Sequence, residues 1–305
     1  MSAARPAPAP PRDGLGATLD CRGRPLDVRP GGGVVMGVLN VTPDSFSDGG
    51  RYDTVQAACD QAAQMADDGA QIIDVGGEST RPGADPVGLD DELARVVPVV
   101  EAVARDLPHV LVSVDTAKGA VARAALRAGA HIVNDVAGTL HGMGTAAAAA
   151  EYGAPLVVMH ALEATGGAAP PHVYRDVVAD VADALDRAAR RAEAAGVRDV
   201  VLDPGFGFGK TVDDNLRLIA DLDRIVALGR PVLVGVSRKS TIGAVLGGLR
   251  AGGAGRPAPV GERLYGSLGL AALAVLRGAA IVRAHDVRET VEALATLTAA
   301  VEAAR

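Results

Sequence analysis

The chain has 305 residues, 49% hydrophobic and 22% charged, with a net charge of −7. That is room for one large domain or two smaller ones, with ample material for a core. The negative balance and the 2% aromatic content, with no Trp, argue against a nucleic-acid or membrane-surface binder and remove the stacking platforms that single strands need.

Only Cys21 and Cys59 are present, in neither a disulfide framework nor a metal-ligand spacing. No apolar run reaches the roughly 18 residues of a membrane span. The start, MSAARPAPAPPRDG, has no apolar signal-peptide core, so a cytoplasmic location is expected.

Residues 1–14 are Ala/Pro-rich and are expected to be extended or disordered. TLDCRGRPLDV (18–28) predicts a small hairpin around Arg22-Gly23-Arg24. Residues 1–33 are therefore a short N-terminal extension and 34–305 the main domain. From there, short Val/Ile-rich runs predict strands at 34–39, 71–76, 110–115, 131–135, 155–160, 199–203, 231–237 and 279–285. Such continuous apolar runs suit parallel strands covered on both faces.

Helical stripes lie between them. Over 54–69 the apolar positions are Val55, Cys59, Ala62 and Met65 or Ala66, closed by Gly69. This places Cys59 on the apolar face, as a small buried hydrophobe. Over 174–196 the stripe is Val177, Val181, Leu185, Ala188 and Ala192, ending at Gly196. Segments 89–106, 117–129, 213–228, 262–277 and 287–303 have the same pattern, and 247–261 predicts a long mobile loop. About eight strands alternating with about eight helices is the rhythm of a (β/α)₈ TIM barrel. An open doubly wound sheet is the rival, but no break divides the chain into halves.

The stretch VVLDPGFGFGKT (200–211) invites a P-loop reading and fails it. That motif needs glycine four residues before Gly-Lys, and Pro204 stands there, without an N–H for a phosphate.

Chemistry in a barrel sits at the C-terminal ends of the strands. Here those ends carry Asn40, Asp74, Asp115, Asn134, His160, Asp203, the trio Ser237-Arg238-Lys239, and Arg283 with His285. Any one alone is more often a helix cap or a satisfied core residue; the converging set makes a site. Asp115, Asn134, Asp203 and Lys239 suit a flat heterocycle rich in N–H and carbonyl groups. Arg283 and His285, with Asn40 and a bound cation, suit a polyphosphate.

Two loops add to this. VTPDSFSDGGRY (41–52) holds Phe46, one of three phenylalanines, among small polar residues. An exposed Phe there is costly unless it closes over something. GGESTRPGAD (76–85) carries Arg81, suited to pair with a carboxylate.

Together NVTPDSFSDGG (40–50), DVGGESTRPGA (74–84), SVDTAK (113–118), NDV (134–136), LDPGFGFGK (202–210), GVSRKS (235–240) and RAHD (283–286) resemble the dihydropteroate synthase family, from about residue 34 to the C-terminus. The resemblance implies a (β/α)₈ barrel that joins p-aminobenzoate to 7,8-dihydropterin-6-ylmethyl diphosphate and releases pyrophosphate. It also implies Mg²⁺ as cofactor, sulfonamides as inhibitors and a homodimer.

By the same resemblance, Asp115, Asn134, Asp203 and Lys239, with Asp74, Met159 and Phe208, are pterin-binding. Asn40, Arg283 and His285 hold the diphosphate, Asn40 also being the metal ligand. Thr80, Arg81, Pro82 and Ser237 lie on the p-aminobenzoate side. Phe46 and Asp48 belong to a mobile loop over the reacting centre. With Lys239, Arg283 and His285, these two make the catalytic set.

Neutralising the diphosphate makes it a good leaving group. A pterin-methyl cation remains, and the neutral arylamine attacks it with little need of a general base. One segment departs from the family: MHALEATGGAAPPHVY (159–174) keeps its Met-His start and loses the rest. A corrinoid-linked pterin methyltransferase shares the barrel and the pterin readers, and a silent pterin-binding homologue is the other alternative. The intact SRKS and TPDSFSDGG loops, and the presence of Lys239, Arg81 and Asn40, favour the synthase.

Overall fold

A computed structural model of the protein describes residues 18–41, 51–78, 86–137, 142–161, 173–249 and 255–304, with backbone only at 51–54. A two-residue turn joins strands β1 (Thr18–Asp20) and β2 (Pro25–Asp27) through Arg22 and Gly23, both at positive φ. The hairpin expected from 18–28 is thus present.

Eight parallel strands follow: β3 (Val34–Asn40), β4 (Ile72–Gly76), β5 (Leu111–Asp115), β6 (Ile132–Asp135), β7 (Leu156–Met159), β8 (Val200–Asp203), β9 (Leu233–Val234) and β10 (Ile281–Ala284). Their order is β8-β7-β6-β5-β4-β3-β10-β9. The two ends of this sheet meet: Leu202 bridges Val232 in parallel and its N–H donates to Pro231 O at 2.9 Å. The sheet therefore curls into the expected TIM barrel, and the open doubly wound sheet is excluded. β9 is much shorter than the predicted 231–237, because the chain turns away at Gly235 towards the Ser-Arg-Lys turn.

The outer ring contains α1 (Arg51–Asp67), α2 (Leu89–Asp106), α3 (Gly119–Arg127), α4 (Gly144–Tyr152), α5 (Val177–Ala194), α6 (Val212–Ala220), α7 (Asp223–Val226), α8 (Ser240–Leu246), α9 (Leu264–Leu276) and α10 (Val287–Ala303). The α5 stripe faces the core as predicted, and Asp176 caps that helix through the N–H groups of Val178 and Ala179. The predicted helix 213–228 divides into α6, started by the reciprocal Thr211–Asp214 capping box, and the short α7.

The pattern at 144–152 gave no sign of α4. Its sequence, GTAAAAAEY, has no polar face to alternate with an apolar one; alanine's helix propensity and a left-handed Gly153 define it instead. α8 was missed for its shortness. Cys59 is only half-buried, and Ala58 takes the core position beside it. The predicted 247–261 loop is tethered where it is described: Ala258 N–H donates to Gly243 O at 2.9 Å, and Arg263 Nε holds Ala258 O at 2.9 Å.

Two apolar layers result. One lies between strands and helices. The other fills the barrel's N-terminal end, where Leu19, Cys21 and Leu26 of the hairpin cover Met36, Ile72, Leu111, Ile132, Val157 and Val201. The hairpin is a plug. Arg22 Nη1 donates to Leu126 O at 2.8 Å and also to Ala130 O, and Arg24 Nη1 donates to Val110 O at 2.8 Å. Burial pushes the Cys21 thiol up to about 12, so it is an inert hydrophobe. Among the described residues no helix is long and apolar enough to cross a membrane.

Candidate active site

Side chains alternate along a strand, so each strand that fills the plugged end with an aliphatic residue presents its next inward position two residues on. Ile72 is followed by Asp74, Leu111 by Ser113 and Asp115, Ile132 by Asn134, Val157 by Met159, Val201 by Asp203, and Ile281 by Arg283. The register sets Asp74 beside Ser113 and Asp115 beside Asn134. One apolar tier thus carries, at the C-terminal mouth, a second tier that is polar except at Met159.

That mouth opens as a cleft lined by Asn134, Met159, Asp203, Phe208, Ser237, Lys239, Arg283 and His285, with Val38, Val136, Phe206 and Gly235 as further wall.

Asp74 and Asp115 stand behind the wall and are held by Arg283. Its Nε donates to Asp74 Oδ2 at 2.7 Å and its Nη2 to Asp115 Oδ2 at 2.6 Å. Asn134 Nδ2 joins at Asp74 Oδ2, 3.0 Å. Asp74 Oδ1 and Ser113 Oγ are buried with no partner among the described residues. Burial pushes the Asp115 carboxyl up to about 7, with Arg283 pulling the other way. Asp203 is likewise raised by burial, while its Oδ1 accepts the Gly205 N–H at 2.7 Å.

Lys239 stands opposite. Its Nζ lies 4.0 Å from the Phe208 ring centroid, a cation–π contact, and burial followed by the Arg283 charge lowers it to about 8. The turn that delivers it is strained: Arg238 has φ 59°, rare for a residue with a side chain. Arg238 itself points away to an ion pair with Asp286, Nε–Oδ2 3.0 Å. This leaves Ser237 and Lys239 on the cleft. Ser237 Oγ accepts the His285 N–H at 3.2 Å and lies 3.1 Å from His285 Nδ1. Burial and then Arg283 lower His285 to about 4, so its imidazole is neutral at pH 7.

Asn40 ends β3 opposite Gly76 and is not part of the cleft lining. His160 follows β7, where its N–H donates to Asp203 O at 2.9 Å, and it too lies off the cleft. Phe46, Asp48, Thr80, Arg81 and Pro82 lie outside the described residues, as does the divergent segment 162–172.

Two further features escaped sequence reasoning. Phe206, the other half of Gly-Phe-Gly-Phe, is a buried wall of the cleft, signalled only by that alternation. A charged cluster sits beyond the ends of β4 and β5. Fully buried Glu92 accepts from Thr116 Oγ1 at 2.6 Å and pairs with Lys118, which also pairs with Glu78.

A buried tier of carboxylates, amide and cations at a barrel mouth suits a polar, planar ligand, and the model of the pterin binding enzyme family matches residues 36–285. The chain belongs to that family. Among its relatives in the family is the dihydropteroate synthase of Streptococcus pyogenes serotype M6, 47% identical over 270 residues, which are 88% of this chain and 96% of the relative. The Bacillus subtilis dihydropteroate synthase is 45% identical over 258 residues, 84% of each chain.

Solved structures agree. The Xanthomonas albilineans dihydropteroate synthase with 4-aminobenzoic acid superposes with TM-score 0.83 at 44% identity, covering 93% of this chain and 98% of that one. The same enzyme in complex with 7,8-dihydropteroate gives 0.79 at 42%, with the same coverage. The pterin-binding family's expected readers that fall among the described residues, Asp74, Asp115, Asn134, Met159, Asp203, Phe208 and Lys239, form one assembly around the cleft.

Proposed function

We infer that the protein is a dihydropteroate synthase, a transferase of folate biosynthesis. It condenses p-aminobenzoate with (7,8-dihydropterin-6-yl)methyl diphosphate to 7,8-dihydropteroate and pyrophosphate. The observation that carries this is the buried tier Asp74–Arg283–Asp115 with Asn134, Asp203 and Lys239 around one cleft, in a chain 47% identical to a named synthase over most of its length.

Each role follows from the donor and acceptor inventory. Asp203 has Oδ2 to offer once Gly205 holds Oδ1, so it accepts from the pterin's amino and ring N–H groups. Asp115, set behind the wall with Oδ2 held by Arg283, offers Oδ1 in the same way, and Asn134 and Lys239 donate to ring nitrogen and carbonyl. Arg283 and His285 face the leaving diphosphate. His285, neutral at pH 7, acts there as an N–H donor. When Ser237 donates to Nδ1, the imidazole proton sits on Nε2.

In the transfer, the methylene C–O bond breaks and its electron pair leaves with the diphosphate. The arylamine nitrogen then forms the C–N bond and sheds a proton. Ser237, with Thr80, Arg81 and Pro82, receives the p-aminobenzoate side. Phe46 and Asp48 act over the reacting centre.

Mg²⁺ fits the donors. Among the described residues no group of three His, Cys, Asp or Glu clusters as a metal site, and Mg²⁺ commonly takes one or two protein oxygens with waters and substrate phosphates. Asn40 supplies such an oxygen at the end of β3. Bound there, the ion would neutralise charge on the diphosphate.

The protein acts on small molecules in the cytoplasm and not on nucleic acid, in keeping with its net charge of −7. It works as a homodimer. Helix α9, LYGSLGLAALAVL, is apolar nearly all round yet leaves Tyr265 and Leu276 exposed, with Leu246 of α8 also exposed, as a face that meets a second copy does. Light scattering should give twice the chain mass, and Leu276→Arg should give the monomer.

The deciding experiment is pyrophosphate release from the two substrates with Mg²⁺. Release that requires both substrates is the expected result. A corrinoid-dependent methyl transfer without it would overturn the reading.

A further inference from the structure

In the Gly-Lys-Thr that ends the glycine-rich loop the lysine is turned inward. Lys210 Nζ donates to Gly205 O at 2.8 Å, Phe208 O at 3.0 Å and His160 O at 3.3 Å. All three donors of the ammonium are thereby directed at backbone carbonyls of two strand-end loops. Lys210 is buried, and it lines no part of the cleft.

The amide side of the loop is anchored in turn. Gly205 N–H meets Asp203 Oδ1 at 2.7 Å, and Gly207 N–H meets Asn215 Oδ1 at 2.7 Å. The loop passes so close to β7 that a Cβ on Gly205, at φ 65°, would lie 2.0 Å from His160 O. What this frame presents to the cleft is Asp203, with one oxygen fixed, and the Phe208 ring beneath Lys239 at 4.0 Å.

We propose that Lys210 is a positioning residue of the pterin site: by gathering the carbonyls of Gly205, Phe208 and His160 it sets the loop that aims Asp203 and the Phe208–Lys239 pair at the pterin ring. The reading of the cleft as a pterin site underlies this. A buried cation costs free energy unless its donors are satisfied, and burial lowers the Lys210 ammonium to about 7 while Asp203 pushes it back up. Such a group is placed at a cost where aliphatic packing would fill the same space.

The test uses Lys210→Met and Lys210→Gln. 6-Hydroxymethylpterin binding is measured by calorimetry, and the KM for each substrate by pyrophosphate release. Lys210→Met should weaken pterin binding and raise the pterin KM at least tenfold, with the p-aminobenzoate KM within twofold. Lys210→Gln keeps two N–H donors and should lose about a third as much. If the Met variant gives no soluble protein, the Gln variant decides alone: a threefold loss of pterin affinity supports the proposal and no loss overturns it.

A rise in both KM values together, or a lower Tm with unchanged pterin binding, marks a merely structural lysine and overturns it. A wild type that binds no pterin removes the pterin reading itself. Wild-type binding with an unaltered Met variant removes only the role of Lys210.

Discussion

Arg283 Nη2 donates to Asp115 Oδ2 at 2.6 Å, so the cation expected at the leaving group and a carboxylate expected at the pterin form one ion pair. The same guanidinium holds Asp74. Arg283→Ala therefore has two consequences. It should abolish pyrophosphate binding and most turnover. It should also strand two buried carboxylates, costing about 3 kcal/mol of stability. Calorimetry and urea unfolding check both. A stable variant with normal pyrophosphate affinity would remove Arg283 from both roles.

Asp203→Asn replaces an acceptor with a donor where the proposed pterin pose presents N–H groups. One unpaired partner in a buried site costs about 1–3 kcal/mol, which is tenfold or more in pterin affinity. The backbone bond from Gly205 to Oδ1 survives the change, so the fold should not suffer. Unchanged pterin binding by calorimetry contradicts the assignment.

Burial moves Asp115 up to about 7 and Lys239 down to about 8. On the proposed roles the pterin needs the Asp115 carboxylate, which exists above the first value, and the Lys239 ammonium, which exists below the second. kcat/KM for the pterin substrate should thus peak between pH 7 and 8 and fall on both sides. Asp115→Asn should flatten the acid limb while lowering the maximum. An acid limb that persists in that variant points to another group.

Ser237 Oγ lies 3.1 Å from His285 Nδ1, which joins a residue proposed for the p-aminobenzoate side to one proposed for the diphosphate side. Pyrophosphate with Mg²⁺ should therefore raise p-aminobenzoate affinity, about 5-fold or more, and p-aminobenzoate should raise pyrophosphate affinity equally. Titrations with and without pyrophosphate measure this. Equal affinities would show independent sites.

The hairpin plug is remote from the mouth. Arg22→Ala removes bonds to Leu126 O and Ala130 O and a cation–π contact with Tyr152 at 5.5 Å. Stability should fall by about 1–3 kcal/mol with kcat/KM within twofold. A loss of activity at unchanged stability would mean that the two ends of the barrel communicate.

Where a hydrophobic pattern repeats, the sequence was enough. The strand runs and the α5 stripe Val177–Val181–Leu185–Ala188–Ala192 predict their elements because burial of an apolar face is what forms them. The site residues stood at strand ends, so Asn134, Asp203, Lys239 and Arg283 were legible as a set from barrel geometry alone. Helix α4 was illegible, since an alanine run has no face to detect.

By itself, then, the amino-acid order determined the barrel, the hairpin and the identity of the polar tier, all of which rest on local periodicity and on motifs contiguous in the chain. Tertiary structure decided the partnerships. Arg283 reaches Asp74 and Asp115 across 209 and 168 positions, and Lys210 turns to His160 O across 50. It also decided that His285 is neutral and that Asp115 is raised, because desolvation and neighbouring charge depend on what the closed barrel brings within a few ångströms, and no spacing along a chain records that.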